Sequence, residues 1–189
     1  MTRDEKRRQL LEMMPKGGVC AEIGVWDGDF SKEILKITTP SKLHLIDPWL
    51  FQPEFGGTGF GRKANEDTME DRYNSVRDRF KDDGRVEIHR ALSHEALETF
   101  EDGSLDWVYI DGNHTYEVVK GDLALCLAKT KPDGIISGDD FWWRGGKGAP
   151  VRTAVREVVA DLGDKVDFSR IGQQWILKLA RSKADATVD

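Results

Sequence analysis

The chain has 189 residues, 39% of them hydrophobic and 33% charged, with a formal net charge of −6 at pH 7. That is the length of one large α/β domain and the composition of a soluble globular protein. No apolar run approaches the ~20 residues that span a bilayer, which argues against a membrane partner. An acidic balance without a basic stripe argues against a nucleic-acid partner.

The stretch MTRDEKRRQLLEMMPKGG is charged and then briefly apolar, and lacks the long apolar core of a secretory signal. It reads as a short amphipathic helix within residues 1–17, ending near Pro15 and Gly17. Its basic residues Arg3, Lys6, Arg7 and Arg8 are interleaved with acids and read as a solvated helix face. Cys20 and Cys126 sit in apolar surroundings. They suit a reduced, cytoplasmic compartment as small hydrophobes rather than as a disulfide.

Short apolar runs then alternate with helical periodicity. Strands are expected at residues 19–24, 43–47, 86–89, 105–110 and 134–137, the last preceded by a Pro132-Asp133-Gly134 turn. Helices are expected between them at 30–37, 66–80, 93–100 and 116–128, and a further one at 151–161. In the helix at 66–80, Tyr73, Val76 and Phe80 share one face. Residues 166–171 and 174–179, joined near Gly172, read as an antiparallel pair. The alternation implies an α/β fold with a mostly parallel sheet and helices on both faces, in one domain over residues 1–180. The polar stretch 181–189 reads as a flexible tail.

In such a sheet, ligands bind beyond the carboxyl ends of the strands. After the first strand comes AEIGVWDGDFSKEIL, where Glu22, Gly24 and Gly28 form E-x-G-x-x-x-G opening into a helix. This is either a bare strand-to-helix turn or a loop whose glycines admit a ligand close to the backbone. It is not the G-x-G-x-x-G of dinucleotide binding. The second strand ends at Asp47, about one strand–helix–strand repeat later, where an acid accepts hydrogen bonds from ribose hydroxyls or starts an Asp-Pro turn. After the third strand, Ser93 suits a helix cap, with Glu95 and Glu98 in the first turns. Ser93 and His94 would also face a base bound over the sheet edge.

The fourth strand is the unbroken apolar run of DWVYIDGNHTYE, and the fifth ends in IISGDDFWW. If these strands are neighbours, Asp111, Asp139 and Asp140 converge. Three carboxylates repel and are costly to desolvate. They form either a solvated acidic rim or a site for a hard divalent cation such as magnesium, manganese or calcium.

The ordered set EIGVWDGDFS, HLIDPW, ALSHEAL, DWVYIDGNHTYEVVKGDL and KPDGIISGDDF resembles class I S-adenosylmethionine-dependent methyltransferases. The nearest likeness is to the small-molecule O-methyltransferase branch of macrocin O-methyltransferase-like enzymes. It runs over roughly residues 19–179. It implies a Rossmann-like, seven-stranded, mostly parallel sheet with one antiparallel strand from the C-terminal hairpin. It implies S-adenosylmethionine held by Glu22, Gly24, Trp26, Gly28 and Ser31 at the methionine end, Asp47 at the ribose, and Ser93 and His94 at the adenine edge. It further implies a divalent cation, magnesium first, on Asp111, Asp139 and Asp140, and a small-molecule acceptor such as a sugar hydroxyl. Formation of a homo-oligomer is left open.

One position departs from the branch. Some sugar and antibiotic O-methyltransferases read Asp-Gly-Asp where this chain has Asp111-Gly112-Asn113, and Asn113 cannot serve as a base. The related catechol enzymes carry a lysine base three residues after the metal aspartate. Here that position is His114, whose ordinary pKa near ~6.5 suits proton transfer around neutral pH. His114, with Asp111, is therefore the expected catalytic group, the alternative being a residue at the helix start that orients the loop by hydrogen bonding. His44 and His89 fall inside strands and read as structural. Trp142 and Trp143 either wall the acceptor pocket or pack on the sheet edge. The glycine-rich stretch 48–66 is longer than most connections and reads as a lid or a surface loop. Its Phe51, Phe55 and Phe60 would cover an acceptor, and Arg62 and Lys63 would bind an anionic one. A second glycine-rich loop, RGGKGAP, would face it.

Overall fold

The computed structural model describes residues 1–56, 58–62, 64–144 and 148–180, with Arg62 described by its backbone alone. The tail at 181–189, Gly57, Lys63 and the centre of the RGGKGAP loop lie outside the described residues.

In chain order the elements are α1 (Arg3–Met13), β1 (Val19–Ile23), α2 (Asp29–Ile37), β2 (Lys42–Ile46), the short α3 (Gly59–Arg62) and α4 (Glu66–Phe80). There follow β3 (Val86–His89), α5 (Ser93–Glu98), β4 (Leu105–Ile110), α6 (Tyr116–Lys129), β5 (Thr130–Gly138), α7 (Pro150–Leu162), β6 (Val166–Ile171) and β7 (Gln174–Leu179). The seven strands form one sheet in the order β3-β2-β1-β4-β5-β7-β6. All pairs from β3 to β5 are parallel, and β7 runs antiparallel to both β5 and β6. The sheet, its longer helices and its single reversed strand are those expected from the sequence, while α3 falls in the stretch 48–66 expected as a loop.

The unbroken apolar run of β4 is explained by burial on both faces. Trp107 and Tyr109 pack with Leu10 and Leu11 of α1, Ile34 of α2 and Val76 of α4. Val108 and Ile110 pack with Leu97 of α5, Leu123 and Cys126 of α6 and Val155 of α7. Both cysteines are buried free thiols. Among the described residues no helix is long and apolar enough to cross a membrane.

Two local expectations are corrected. The Pro132-Asp133-Gly134 turn is not a turn: β5 runs through it from Thr130, and the pairing with β4 shifts register between Leu105 and Trp107. Irregular pairing is where a strand tolerates a proline that cannot donate to the ladder. The basic face of α1 is not wholly solvated. Thr2 and Glu5 close a capping box at its start. Arg3 and Arg7, one turn apart, then point across the sheet edge to the carboxylates beyond β4 and β5.

Register sets the site. Ile23 pairs with both Ile46 and Ile110, and Ile110 with Gly138. The next residues, Asp47, Gly24, Asp111 and Asp139, therefore form one row along the carboxyl edge. Backbone bonds continue the ladder one step further, with Gly24 N donating to Ile46 O, Asp111 N to Ile23 O and Asp139 N to Ile110 O. Chain order reverses between β1 and β4, the switch point where α/β sheets open a crevice.

Candidate active site

That crevice holds a cavity of about 780 Å³, within the size range of cofactor sites. Its walls include Glu22, Gly24, Trp26, Asp47, Ser93 and His94 of the expected cofactor set, with Asp111 and His114. Gly28 and Ser31 are not at the wall. Gly28 starts α2 in a left-handed conformation, and buried Ser31 stands behind the loop and hydrogen-bonds Glu22.

The β1–α2 loop is fixed from several sides. Gly24 has φ +87°, and a Cβ there would lie 2.2 Å from the carbonyl oxygen of Asp111. Only glycine lets the first and fourth strand ends close up this way. Asp47 takes the Val25 and Trp26 amides on one oxygen, each at 3.0 Å, and the Trp49 amide on the other at 2.7 Å. It thus ties the loop to β2, and three of its roughly four acceptor positions are already used. Trp26 and Trp49 both have positive φ, and the Trp49 indole donates to the Trp26 carbonyl. The Arg72 guanidinium stacks 3.9 Å over the Trp26 ring. Such strained backbone persists only where its surroundings over-determine it.

At the far end, Ser93 is the first residue of α5 rather than its cap. Leu92 holds the cap position, and its amide donates to Glu95 at 3.1 Å. The Ser93 hydroxyl instead donates to Asp122 of α6 at 2.6 Å. From the loop at 48–66, Leu50, Gln52, Phe55 and Phe60 line the cavity. Phe51 packs against the core beneath it.

The three aspartates converge as expected, but two arginines stand among them. Asp139 is 2% exposed. Its Oδ2 accepts Arg3 Nε at 2.8 Å and Arg7 Nε at 2.9 Å, and the Nη2 of each arginine lies 2.8 Å from it. Its Oδ1 accepts the Asp140 amide at 2.7 Å. Arg7 also hydrogen-bonds Asp111, and Arg3 reaches Asp140 at 3.3 Å. Burial alone would raise Asp139, but Arg7, the Asp140 amide and Arg3 hold it below the usual carboxylate range. Burial pushes Asp111 up to about 7, with Asp139 adding to the rise and Arg7 opposing it.

His114 Nε2 lies 2.9 Å from Asp140 Oδ2 and 3.7 Å from Asp111 Oδ1. Burial lowers its pKa, but Asp140, Asp111 and the Gly112 carbonyl outweigh that and hold it above the ordinary histidine value. Asn113 accepts the Thr115 amide at 2.9 Å, an Asx turn that opens α6. Trp142 and Trp143 do not wall the cavity. Trp143 stacks on the His114 ring at 5.3 Å, and Trp142 is 39% exposed beneath Arg152 and Arg170. His44 and His89 lie on neighbouring strands, hydrogen-bonded to each other at 3.0 Å. With Glu87 they form a second set of ligand-type side chains, none of them at the cavity wall.

A methyltransferase-domain family model matches residues 21–141, from within β1 to the residue after Asp140. The chain belongs to the methyltransferase-domain family. Solved structures agree on the fold. The O-methyltransferase NovP superposes with TM-score 0.66 at 21% identity, over 95% of this chain and 80% of that one. The O-methyltransferase TomG from Streptomyces achromogenes, solved with S-adenosylmethionine, gives 0.61 at 15% identity, over 96% and 82%. A putative rRNA-methylase from Clostridium thermocellum gives 0.66 at 11% identity, over 95% and 97%. No curated protein sequence matches the chain. Within this methyltransferase fold, sequence reading missed Arg3, Arg7 and Asp122. The arginines carried a signal, since charges at i and i+4 on a helix share a face, but nothing local says what that face meets.

Proposed function

We propose that this chain is an S-adenosylmethionine-dependent O-methyltransferase acting on a small hydroxylated metabolite, of which a sugar is the leading class. The observation that carries the reading is the row Asp47, Gly24, Asp111 at the wall of one cavity, with His114 beside it. When bound, the cofactor supplies an electrophilic sulfonium methyl group that an oxygen nucleophile displaces in line.

The chain's own residues do the rest. Gly24 and Glu22 receive the methionine end, Asp47 and the rigid Trp26 loop the ribose, and Ser93 and His94 the base. Leu50, Phe55 and Phe60 cover the acceptor as a lid and exclude water, so that alignment supplies much of the rate. Asp111 and His114, 3.7 Å apart, titrate as a coupled pair. That pair takes the acceptor's hydroxyl proton. Asp140 orients the His114 ring.

In the expected set, a divalent cation would have to sit on Asp111, Asp139 and Asp140. Asp139 does not fit it, because guanidinium nitrogens and a backbone amide take both of its oxygens. The two guanidiniums offset two of the three carboxylates, so the cluster has less need of a divalent ion. A second reading is favoured by one observation: ligand atoms of Asp111, His114 and Asp140 all lie within 4.8 Å of one another. With two carboxylates and an imidazole, that set would suit a first-row transition-metal ion, such as manganese or zinc, better than magnesium or calcium. It would make His114 a ligand instead of a proton acceptor.

The test is methyl transfer to a panel of sugars and small phenols from labelled S-adenosylmethionine, with and without chelator. O-methylated product in chelator supports the arginine-neutralised site. Product only with added manganese supports the second reading. Failure of the folded protein to bind S-adenosylmethionine in calorimetry overturns both.

A further inference from the structure

We propose that Asp122 is the base-reading residue of the cofactor site: its unpartnered carboxylate oxygen accepts a hydrogen bond from the exocyclic 6-amino group of adenine and so rejects 6-oxo purines. The inference rests on the cofactor reading above and adds to it a residue and a specificity.

Asp122 lies inside α6 and is 3% exposed, in a helix whose other buried residues are Val119, Leu123 and Cys126. An acid in that company needs a reason. Half of the reason is visible, since Oδ1 accepts the Ser93 hydroxyl at 2.6 Å. The other half is not. Oδ2 is buried and has no hydrogen-bond partner among the described residues, although leaving a buried acceptor unmade is costly. A tie to Ser93 alone would be served by an asparagine or a serine, without a stranded charged oxygen.

Asp122 also lines the cavity, with Leu92, Ser93, His94 and Val118. Glu22, Arg7 and Asp111 line the same cavity, from β1, from α1 and from the loop after β4, where the methionine end is placed. The base therefore falls to the Ser93 side. What is missing at Oδ2 is a donor. Adenine presents one at its 6-amino group, whereas hypoxanthine and guanine present an acceptor there, which a carboxylate repels. Burial pushes the Asp122 carboxyl up to about 6, with Ser93 opposing, so the group is mainly ionised at neutral pH and accepts only. Recognition that relies on a buried polar group discriminates strongly, because the wrong ligand leaves that group unpaired.

The experiment is calorimetric binding of S-adenosylhomocysteine and of its 6-oxo analogue, S-inosylhomocysteine, to the full chain and to two variants. The unmodified protein is expected to bind the adenosyl form at least ~10-fold more tightly. Asp122→Leu is expected to weaken the adenosyl form roughly 10- to 100-fold, as for loss of a hydrogen bond to a charged group. It should leave the inosyl form within a few-fold, so that discrimination disappears. Asp122→Asn, which keeps the shape and the Ser93 bond but turns an amide donor toward the base, is expected to weaken the adenosyl form and to favour the inosyl form. If Asp122→Leu does not melt cooperatively, the asparagine variant decides by its lost or inverted discrimination. Equal weakening of both ligands, or no discrimination by the unmodified protein, means that Asp122 only holds Ser93, and overturns the proposal while the cofactor reading stands. If the unmodified protein binds neither ligand, the cofactor reading itself fails and the proposal with it.

Discussion

Arg7 on the first helix and Asp139 after the fifth strand are bonded across the whole length of the domain: Arg7 Nε lies 2.9 Å from Asp139 Oδ2. The contact pins α1 to the carboxyl edge of the sheet and supplies positive charge where three carboxylates meet. Arg7 is 19% exposed and Asp139 fully buried at its side chain. Removing the arginine would leave the acid, among the described residues, with Arg3 as its only cation. Arg7→Ala is expected to destabilise the fold by about 3 kcal/mol, the scale for breaking a buried pair, seen as a lower urea midpoint. Arg7→Lys should recover only part of this, because an ammonium cannot present two nitrogens in a fixed fork.

The same arginines stand where a cation would stand. In the unmodified protein, manganese titrated into the chelator-washed chain is expected to show no stoichiometric binding by calorimetry or electron paramagnetic resonance. In Arg3→Ala/Arg7→Ala, if it folds, the freed Asp111, Asp139 and Asp140 should bind manganese measurably. Stoichiometric binding by the unmodified protein, undiminished in Asp111→Asn, would place the ion elsewhere. Binding that Asp111→Asn abolishes would favour the set with His114.

Much of this site was legible because it depends on local order along the chain. A strand ending in Gly24, another in Asp47 and another in Asp111 need only parallel pairing to become a row, and the alternation of apolar runs with helices already implies that pairing. Ser93 was placed beside the cavity by the same logic, but its partner was not, because Asp122 sits on the next crossover helix. Arg3 and Arg7 were misread for a related reason. Their role is set by a contact more than 100 residues away in sequence, between Arg7 and Asp111 or Asp139. A charged helix facing solvent and one facing a buried acid cluster look alike in sequence. Asp139 was legible as an acid at the right strand end, yet its saturation by guanidiniums could not be read from its neighbours.

Gly24→Ala tests the closeness of the β1 and β4 ends. The added carbon would meet the Asp111 carbonyl at 2.2 Å, and the backbone there has φ +87°. Both effects act on backbone, which cannot swing aside. Loss of S-adenosylhomocysteine binding is expected, with destabilisation of more than about 1 kcal/mol. Gly17→Ala shares a positive φ of 75° but meets nothing within 4 Å, so it should cost stability through strain alone and leave binding intact.

Glu22 gives the ligand-free protein a pH signature. Burial pushes its carboxyl up to about 8, with the Ser31 hydrogen bond opposing. Its unfolded value is near ~4.3. Between those values the unfolded chain has lost this proton and the folded chain keeps it. Stability contributed by Glu22 is therefore greatest at low pH and falls as pH rises through that window, by at most about 1.4 kcal/mol per pH unit. Urea unfolding at pH 6 and pH 8 should show a smaller loss in Glu22→Gln than in the unmodified protein. Equal losses would mean that Glu22 ionises in the fold as it does in water.

The proposed proton-accepting pair would give a separate signature in catalysis. Asp111 is pushed up to about 7 mainly by burial, and His114 is held above the ordinary histidine value by Asp140 and Asp111 against the effect of its own burial. A base must be unprotonated to work, so kcat is expected to rise with pH through about 7 and level off above it. Asp111→Asn and His114→Gln should each lower kcat by about 10²- to 10⁴-fold, the usual contribution of a positioned proton acceptor. Their double variant should lose little more than the worse single one, because the two groups act as one titrating unit. S-adenosylhomocysteine affinity should change little in His114→Gln, which separates proton transfer from cofactor binding. A pH–rate profile that is flat from pH 6 to 9, or full turnover in His114→Gln, would remove the pair from the reaction and leave alignment in the closed cavity as the source of the rate.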